Sequence, residues 1–338
     1  MTDLVDGHAA TEYALALPYR TDRRSPLRWV LSHVRRHLWL VPVVAVGAFG
    51  NAALAGVVPI YGGEAFDAVK AGLAGTLSAP DVRAVVLRAA WLIILSQALR
   101  AVLQLGRNFG SEVLGQRLER DTRDELYASL LGKSMTFHGR QTVGDIMARA
   151  TNDVREINLM FNPGLNLAIG SSMFLIIPIA FAPRIHPQLV VVPVLFLVAY
   201  TWAVHRYLRQ LAPITVAVRQ RFGRLNSHLT EVVDGIEVVK GAAQERAEIG
   251  RFGALANAYR QAFVDQGERE ARYLPALFMG LAISAGFAQA AWLLRLGAIS
   301  TGDLVAFMGL LSLFGFPTFT SLFSFSQVSS GMASAARI

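Results

Sequence analysis

The sequence predicts an all-α membrane protein with six long membrane-spanning helices. Hydrophobic residues make up 53% of the 338 residues and charged residues only 17%, with a mean hydropathy of +0.41. This balance is far from that of a soluble domain. Six stretches reach or approach the roughly 20 apolar residues that a helix needs to cross a bilayer. The longer polar segments between them keep a helical spacing of apolar residues.

Two segments precede the first predicted span. Residues 1–24 are polar, contain acidic residues and have no short apolar core before a small-residue cleavage site, so we predict a loosely attached tail and not a signal peptide. Residues 25–37 predict a short amphipathic helix, because Pro26 directly follows a capping Ser. Its arginines suit lipid phosphates at the membrane surface. The alternative is that this segment is only the solvated start of the first span.

The predicted spans are residues 38–60, 82–105, 157–182, 188–204, 273–294 and 304–328. Six crossings place both termini on one side of the membrane. On that side lie 26 of the 32 Lys and Arg residues, which identifies it as the cytoplasm. The basic excess is therefore a topology signal and not a nucleic-acid signal. Gly47, Gly50 and Gly56 in the first span predict close packing against another helix.

The outer connections are short, whereas the two inner segments, residues 106–156 and 205–272, are long. An uninterrupted helix over residues 82–131 would be roughly 75 Å long, more than twice the hydrocarbon thickness. The spans therefore extend far into the cytoplasm. At the first inner tip, residues 141–153 form a polar turn that a soluble partner could bind. Thr151, Asn152 and Asp153 are predicted to cap the helix that returns to the membrane.

Several classes of site are not predicted. The chain has no cysteine, no H-E-x-x-H spacing and no His-rich tract, so we predict neither a disulfide nor a metal site. Gly132-Lys133-Ser134 looks like the end of a phosphate-binding loop, but Tyr127 stands where that loop needs its first glycine. No catalytic constellation is present. Arginine accounts for 29 of the 32 basic residues, which suggests a GC-rich bacterial source.

Polar side chains inside the predicted spans are candidates for a substrate pathway. They are Asn51, Gln97, Arg100, Gln104, Asn162, Asn166 and Gln289. Arg100 is the strongest candidate for a pathway residue, because an ionisable side chain at membrane depth usually faces a cavity or a partner. It could bind an anionic head group or a carboxylate. The alternatives are a structural pair within the bundle, or a shallower position from which the side chain reaches the interface.

Each of the two inner tips carries its own set of sequence motifs. The first tip carries Phe137, T-V-G-D from Thr142, and R-A-T-N-D-V from Arg149; the second carries Glu231, G-I-E-V-V-K from Gly235, then Glu245 and Phe252. G-D-L-V-A-F from Gly302 and the final Arg337-Ile338 complete the set. Together these motifs resemble the transmembrane domain of ATP-binding cassette (ABC) exporters of the six-span type. The resemblance covers residues 27–338.

The resemblance implies the type I exporter fold: an elbow helix at residues 25–37, a six-span half-transporter at 38–328, and the start of a linker at 329–338. It implies a domain-swapped dimer, homomeric or heteromeric, in a bacterial cytoplasmic membrane with both termini cytoplasmic. ATP and Mg would bind in nucleotide-binding domains outside this chain. Those domains belong to a truncated part or to a separate chain, and the family's habit of fusion favours truncation.

By similarity, short coupling helices at the inner tips contact these nucleotide-binding domains. The implied coupling residues are Gln141, Thr142, Val143, Gly144 and Asp145 at the first tip, and Arg224, Asn226, Ser227 and His228 at the second. The second coupling helix is expected over residues 223–230. Gly144 and Gly235 are expected to permit tight turning or close approach.

Two other classes of function remain open on the sequence. A gradient-driven carrier tends to place paired acidic residues or broken helices at the membrane midplane. The acidic residues near the predicted spans here, Glu64, Asp67 and Asp303, lie towards the outside. A scaffold or receptor could bind a soluble partner at the inner tips without transporting anything. Drugs, lipids, peptides and siderophores are all handled by chains that share this architecture.

Overall fold

The computed structural model describes residues 21–272 and 274–338, and its regular secondary structure is helical. Short 3-10 turns follow α1 (Arg35–His37) and precede α8 (Pro187–Val190), and π-helical turns precede and follow α6 (Arg149–Asp153, Met160–Leu165). The α-helices are α1 (Pro26–Val34), α2 (Leu40–Leu73), α3 (Ala79–Leu131), α4 (Met135–Arg140), α5 (Val143–Ala148), α6 (Val154–Leu159), α7 (Asn166–Ile185), α8 (Val191–Asp234), α9 (Ile236–Gly241), α10 (Glu245–Ala271), α11 (Leu274–Arg295), α12 (Thr301–Ser312) and α13 (Gly315–Arg337).

Six helical segments are long and apolar enough to cross a membrane, which confirms the predicted number within the described residues. They are Leu40–Leu73, Ala79–Leu131, Val143–Ile185, Pro187–Asp234, Glu245–Arg295 and Thr301–Arg337. Tyr273, the predicted start of the fifth span, lies outside the described residues. The helix α3 is continuous over 53 residues, about 80 Å. The predicted long inner extension of the second span is therefore confirmed.

The chain divides into two compact units. The first unit combines the residues up to Val191 with Ala285–Ile338, and the second unit is Val192–Ser284. In the first unit α2 packs along α3, α12 packs on α2, and α13 packs on α6 and α7. A Cβ atom at Gly47 would lie 2.7 Å from Arg107 Cβ, so this glycine lets α2 approach α3 closely, as predicted.

The elbow helix α1 belongs to the core of the first unit. Ser25 caps it, with Oγ accepting from the backbone N of Arg28 at 3.3 Å, and Pro26 opens it as predicted. Trp29 and Val30 are buried in a cluster with Leu40, Leu114, Leu118, Ile157, Met160, Phe161 and Ala335. This face of α1 is therefore covered by protein. Leu27 and Leu31, 55% and 48% exposed, lie on the side that the described residues do not cover.

The second unit contains the second inner hairpin. Arg221 Nη1 on α8 donates to Ala258 O on α10 at 2.9 Å. The rings of Phe222 and Tyr259 lie 5.3 Å apart between the same helices. The chain reverses after Asp234, with α9 at the turn. The helix α8 is thus one continuous element up to that turn.

Candidate functional site

The outward faces of α2 and α3 carry exposed apolar side chains within the first two predicted spans. Four apolar side chains on these faces are more than half exposed: Val46 60%, Phe49 59%, Val102 65% and Leu105 69%. Gly47 on α2 faces Arg107 on α3, and Asn51 on α2 contacts Arg100 on α3. The four exposed apolar residues therefore lie in or next to the region between these two contacts. Hydrocarbon offers no hydrogen-bond partner, so polar groups at this level need partners inside the bundle or in a cavity.

A chain of side-chain hydrogen bonds joins α2 to α3 at this level. Arg100 Nε donates to Asn51 Oδ1 at 2.6 Å, and Arg100 Nη1 donates to Gln97 Oε1 at 3.1 Å. Asn51 Nδ2 donates in turn to Gln104 Oε1. Gln104 Nε2 then donates to Asn108 Oδ1 at 3.2 Å. The Arg100 guanidinium is thereby held by neutral partners whose own orientations are fixed.

The same chain of hydrogen bonds reaches the third span. Asn166 Nδ2 donates to Asn108 Oδ1 at 3.2 Å and to Asn162 Oδ1 at 3.0 Å. Asn162 Nδ2 donates to Glu112 Oε2 at 2.5 Å, and Gln116 Nε2 donates to Glu112 Oε1 at 2.8 Å. Asn162 has φ −133° and ψ 113°, so the third span leaves helical geometry where its side chain meets α3.

Six of the seven predicted pathway residues belong to this network: Asn51, Gln97, Arg100, Gln104, Asn162 and Asn166. Gln289 does not, because its Nε2 donates to Gln188 O at 2.7 Å, at the start of the fourth span. The sequence analysis missed Asn108 and Glu112, which lie just beyond the predicted end of the second span. The signal that could have found them is a polar residue at every fourth position of α3 from Arg100 onwards.

Arg107 is a second guanidinium of α3, about 10 Å further along the helix than Arg100. Its side chain is only 2% exposed, and its Nε and Nη1 have no hydrogen-bond partner among the described residues. It fills the space beside Gly47 of α2 and Gly170 of α7. A Cβ atom at Gly170 would overlap Arg107 Nη1. A buried charge of this kind is costly unless an opposite charge compensates it.

Gly170→Ala is expected to destabilise the full-length protein by about 1–3 kcal/mol, because the added methyl group overlaps the Arg107 guanidinium in a packed interface. Thermal unfolding in detergent measures the change. Gly62→Ala on α2 is the matched control, since no atom lies within 4 Å of the Cβ position there. Equal destabilisation at the two glycines would contradict this account of Gly170.

The first inner tip is an exposed short helix. Thr142 Oγ1 accepts from the backbone N of Asp145 at 3.3 Å and begins α5, directly after Gln141 ends α4. Val143 is 77% exposed. A Cβ atom at Gly144 would meet nothing within 4 Å, and its φ is not positive. The chain itself therefore does not require glycine at this position, contrary to the expected tight turn.

Asp153 does not cap a helix, so that prediction is wrong. The π-helical turn Arg149–Asp153 runs directly into α6, and no free helix N-terminus exists there to be capped. Thr151 Oγ1 donates to Met147 O at 2.7 Å, and no side-chain cap is made. Asp153 is only 4% exposed, and it accepts from Ser334 Oγ at 3.1 Å and from Arg337 Nη2. It thereby joins the first inner segment to the end of α13.

The second inner tip lies further along the chain than expected. Arg224, Asn226, Ser227 and His228 lie in the last three turns of α8, which continues to Asp234 without a separate helix over 223–230. The short helix at the tip is α9, formed by the G-I-E-V-V-K motif. An apolar cavity of about 310 Å³ lies beside it, lined by Leu229, Val232, Ile236, Val239, Ile249 and Phe252. His228 Nε2 lies 3.2 Å from Glu248 Oε2 at its edge.

The segment before the elbow helix is attached to α3. Residues 1–20 of the predicted tail lie outside the described residues, but Thr21 and Arg23 bind Glu125. Thr21 Oγ1 and Arg23 Nη2 each donate to Glu125 Oε1 at 2.7 Å, and His33 Nε2 lies 3.0 Å from Glu125 Oε2. Residues 21–24 are therefore not the loose tail that was expected.

The Glu125 carboxylate lies 20 residues beyond the predicted end of the second span and is 5% exposed. Burial raises the pKa of this carboxyl group, but hydrogen bonds from His33, Thr21 and Arg23 outweigh burial and hold the pKa at about 2. One turn away, His37 Nε2 lies 2.9 Å from Asp121 Oδ2. Two carboxylates of α3 thus hold the elbow helix.

The six long apolar helices, and the exposed short helices α5 and α9 that follow turns between them, are typical of a class of membrane transport domain. Residues 41–318 match the family model described as the ABC transporter transmembrane region. The chain belongs to this family, and the resemblance seen in the sequence is confirmed. The match is to the transmembrane region.

Two curated relatives illustrate the match. The uncharacterized ABC transporter ATP-binding protein YknU of Bacillus subtilis is 24% identical over 255 residues, covering 74% of this chain and 44% of that protein. The multidrug efflux ATP-binding/permease protein Rv0194 of Mycobacterium tuberculosis is 27% identical over 243 residues, covering 68% and 19%. The chain thus spans less than half the length of these relatives.

A solved structure supports the fold. It is described as a bacterial Atm1-family ABC exporter with ATP bound. It superposes with a TM-score of 0.63 at 21% identity, over 89% of this chain and 52% of that chain. The chain is therefore an all-helical protein whose six long apolar helices resemble the membrane-spanning part of that exporter.

Proposed function

We propose that this chain is the transmembrane domain of an ATP-driven exporter, and that it forms the substrate pathway by alternating access. The observation that carries this proposal is the pair of exposed short helices, α5 and α9, at the ends of long rigid helices. Movement imposed on such a tip is transmitted to the membrane end of the same helix, in the manner of rigid-body switching. With α3 alone about 80 Å long, the tips lie far outside the bilayer.

The partners of the two tips are nucleotide-binding domains that hold ATP and Mg. Val238 on α9 is 75% exposed and Ile236 is 42% exposed, although this tip is cytoplasmic in the proposed topology. Exposed apolar side chains beside an apolar cavity are typical of a protein docking surface. The coupling surface comprises residues 141–145 at the first tip, and Arg224, residues 226–228 and α9 at the second. The relatives YknU and Rv0194 are both named as ATP-binding proteins.

The working unit is a dimer of this chain with itself or with a related half-transporter, in a bacterial cytoplasmic membrane with both termini inside. The family membership and the bacterial relatives support this assembly and location. The substrate pathway includes Asn51, Gln97, Arg100 and Asn166, whose side chains are polar at hydrocarbon depth. Gln289 is proposed to lie at its outer end.

The test is transport by the full-length protein in inside-out vesicles, with a panel of fluorescent amphipathic compounds. We expect accumulation that requires Mg-ATP, stops with orthovanadate and persists when ionophores remove ion gradients. Transport that survives orthovanadate and stops with ionophores would assign the chain to the gradient-driven carriers. Binding of a soluble partner at the tips without transport of any compound would assign it to the scaffolds.

A further inference from the structure

Two guanidinium groups lie near or within the second predicted span of the first unit, and neither forms an ion pair with a carboxylate among the described residues. Within that part of the chain, Arg100 donates only to the neutral side chains of Asn51 and Gln97. Arg107 makes no hydrogen bond through Nε or Nη1 within the described residues. Seven residues separate the two arginines on α3, so they lie on the same side of the helix, about 10 Å apart along its axis.

The sequence supplies no countercharge at this depth. No Asp or Glu occurs in residues 40–63, 82–111, 166–182, 188–204, 274–294 or 304–336. A second copy of the chain would bring the same spans and therefore the same lack of acidic residues. The next carboxylate along α3 is Glu112, about 18 Å along the helix from Arg100 and about 8 Å from Arg107. Its oxygens already accept from Asn162 and Gln116.

The Arg100 side chain is arranged to receive an anion. A guanidinium has five N–H donors, and the described contacts of Arg100 use two of them. Asn51, held by its hydrogen bond to Gln104, keeps the guanidinium from turning freely. The remaining donors form the planar fork that matches a carboxylate or a phosphate. Arg107, buried two turns away, adds a second positive charge that favours an anion at this level.

We propose that Arg100, reinforced by Arg107, anchors an anion-binding site at membrane depth, and that the transported molecule is an amphipathic anion with a carboxylate or phosphate group. This inference rests on the proposed transport function. The anionic group lies against the Arg100 guanidinium, and the apolar part lies among the hydrophobic side chains of the spans. The same chemistry is offered by a free amphipathic acid and by the headgroup of an anionic lipid.

The test measures binding of dansyl-labelled undecanoic acid and of its uncharged methyl ester to the full-length protein in phosphatidylcholine nanodiscs, with empty nanodiscs subtracted. We expect the acid to bind at least about tenfold more tightly than the ester, which corresponds to a charged hydrogen bond. Arg100→Gln should remove this preference, and Arg100→Lys should retain part of it. Arg88→Gln removes an exposed arginine of the same helix and should leave the preference for the acid over the ester unchanged.

Equal binding of acid and ester by the native protein would overturn the anion class, while ATP-dependent transport of other compounds would leave the proposed function intact. A preference for the acid that survives Arg100→Gln would overturn the assignment to Arg100. Adding phosphatidylglycerol to the nanodiscs separates the two sources. Displacement of the acid in the native protein identifies a lipid headgroup as the occupant, and unchanged binding identifies a free amphipathic acid. Both outcomes depend on an anion-binding site at Arg100, and they differ only in its natural occupant.

Discussion

Gly144→Trp is expected to lower ATP-driven transport by about tenfold or more while ATP hydrolysis continues. The bulky side chain should disrupt docking at the first tip, and with it the free energy that couples ATP hydrolysis to movement of the spans. The Cβ position of Gly144 is open, because no atom of the described residues outside its own helical turn and chain neighbours lies within 4 Å of it. A large side chain there should leave the fold intact and disturb only what binds α5. Transport and hydrolysis are measured together in vesicles that contain the full-length protein.

A matched control separates docking from a general effect of bulk. Gly267 on α10 is also exposed and open at its Cβ position, but it lies about 33 Å along the helix from the second tip. Gly267→Trp should keep transport and hydrolysis coupled. Gly235 is a less clean site, because a Cβ atom there would lie 3.1 Å from Glu231 O. A rate of ATP-driven transport in the Gly144→Trp variant equal to that of the native protein would contradict the coupling role of α5.

Glu125→Gln is expected to destabilise the attachment of the elbow helix by roughly 3 kcal/mol, because His33 and Arg23 lose the charge that pairs with them in a buried site. Thermal unfolding and the rate of proteolysis in residues 21–37 measure the loss. Asp124→Asn is the matched control, since Asp124 is the neighbouring carboxylate and is exposed. Equal loss in the two variants would show that net charge, and not the pairing of Glu125, matters.

The native protein should show the matching pH dependence. The pKa of Glu125 is about 2 in the folded state, below the ordinary value of 4.5. Its contribution is therefore present in full above about pH 4.5 and is lost as the pH falls towards 2. The Glu125→Gln variant should lack this part of the acid sensitivity. A native acid transition unchanged by the substitution would contradict the pairing of Glu125.

Much of the fold could be predicted because its signals are local. The length of each apolar run determines a span, Ser25 and Pro26 mark the start of α1, and the lack of any proline from Val82 to Leu131 predicts that α3 is continuous. Arg100 is a charged residue within an apolar stretch, and this contrast identified the centre of the polar network. Each of these inferences needs only neighbouring residues along the chain.

The rest depends on packing between distant segments. Asp153 has the composition of a helix cap, but its donors come from Ser334 and Arg337, which no local pattern connects to it. Glu112 looks like an ordinary residue of an inner segment until Asn162 is placed beside it. The position of the second tip depended on whether α8 continues past Gly223, and a single glycine inside a helix does not decide that.

The link between Asp153 and Ser334, 181 residues apart, bears on how the protein is made. The first unit consists of two stretches of chain, with Val192–Ser284 inserted between them. During synthesis the ribosome must complete this insert, α12 and α13 before α13 can pack on α6. Until then Asp153 lacks its hydrogen-bond partners Ser334 and Arg337. The first unit is therefore completed by a long-range contact, the kind that forms late because closing a long loop costs entropy.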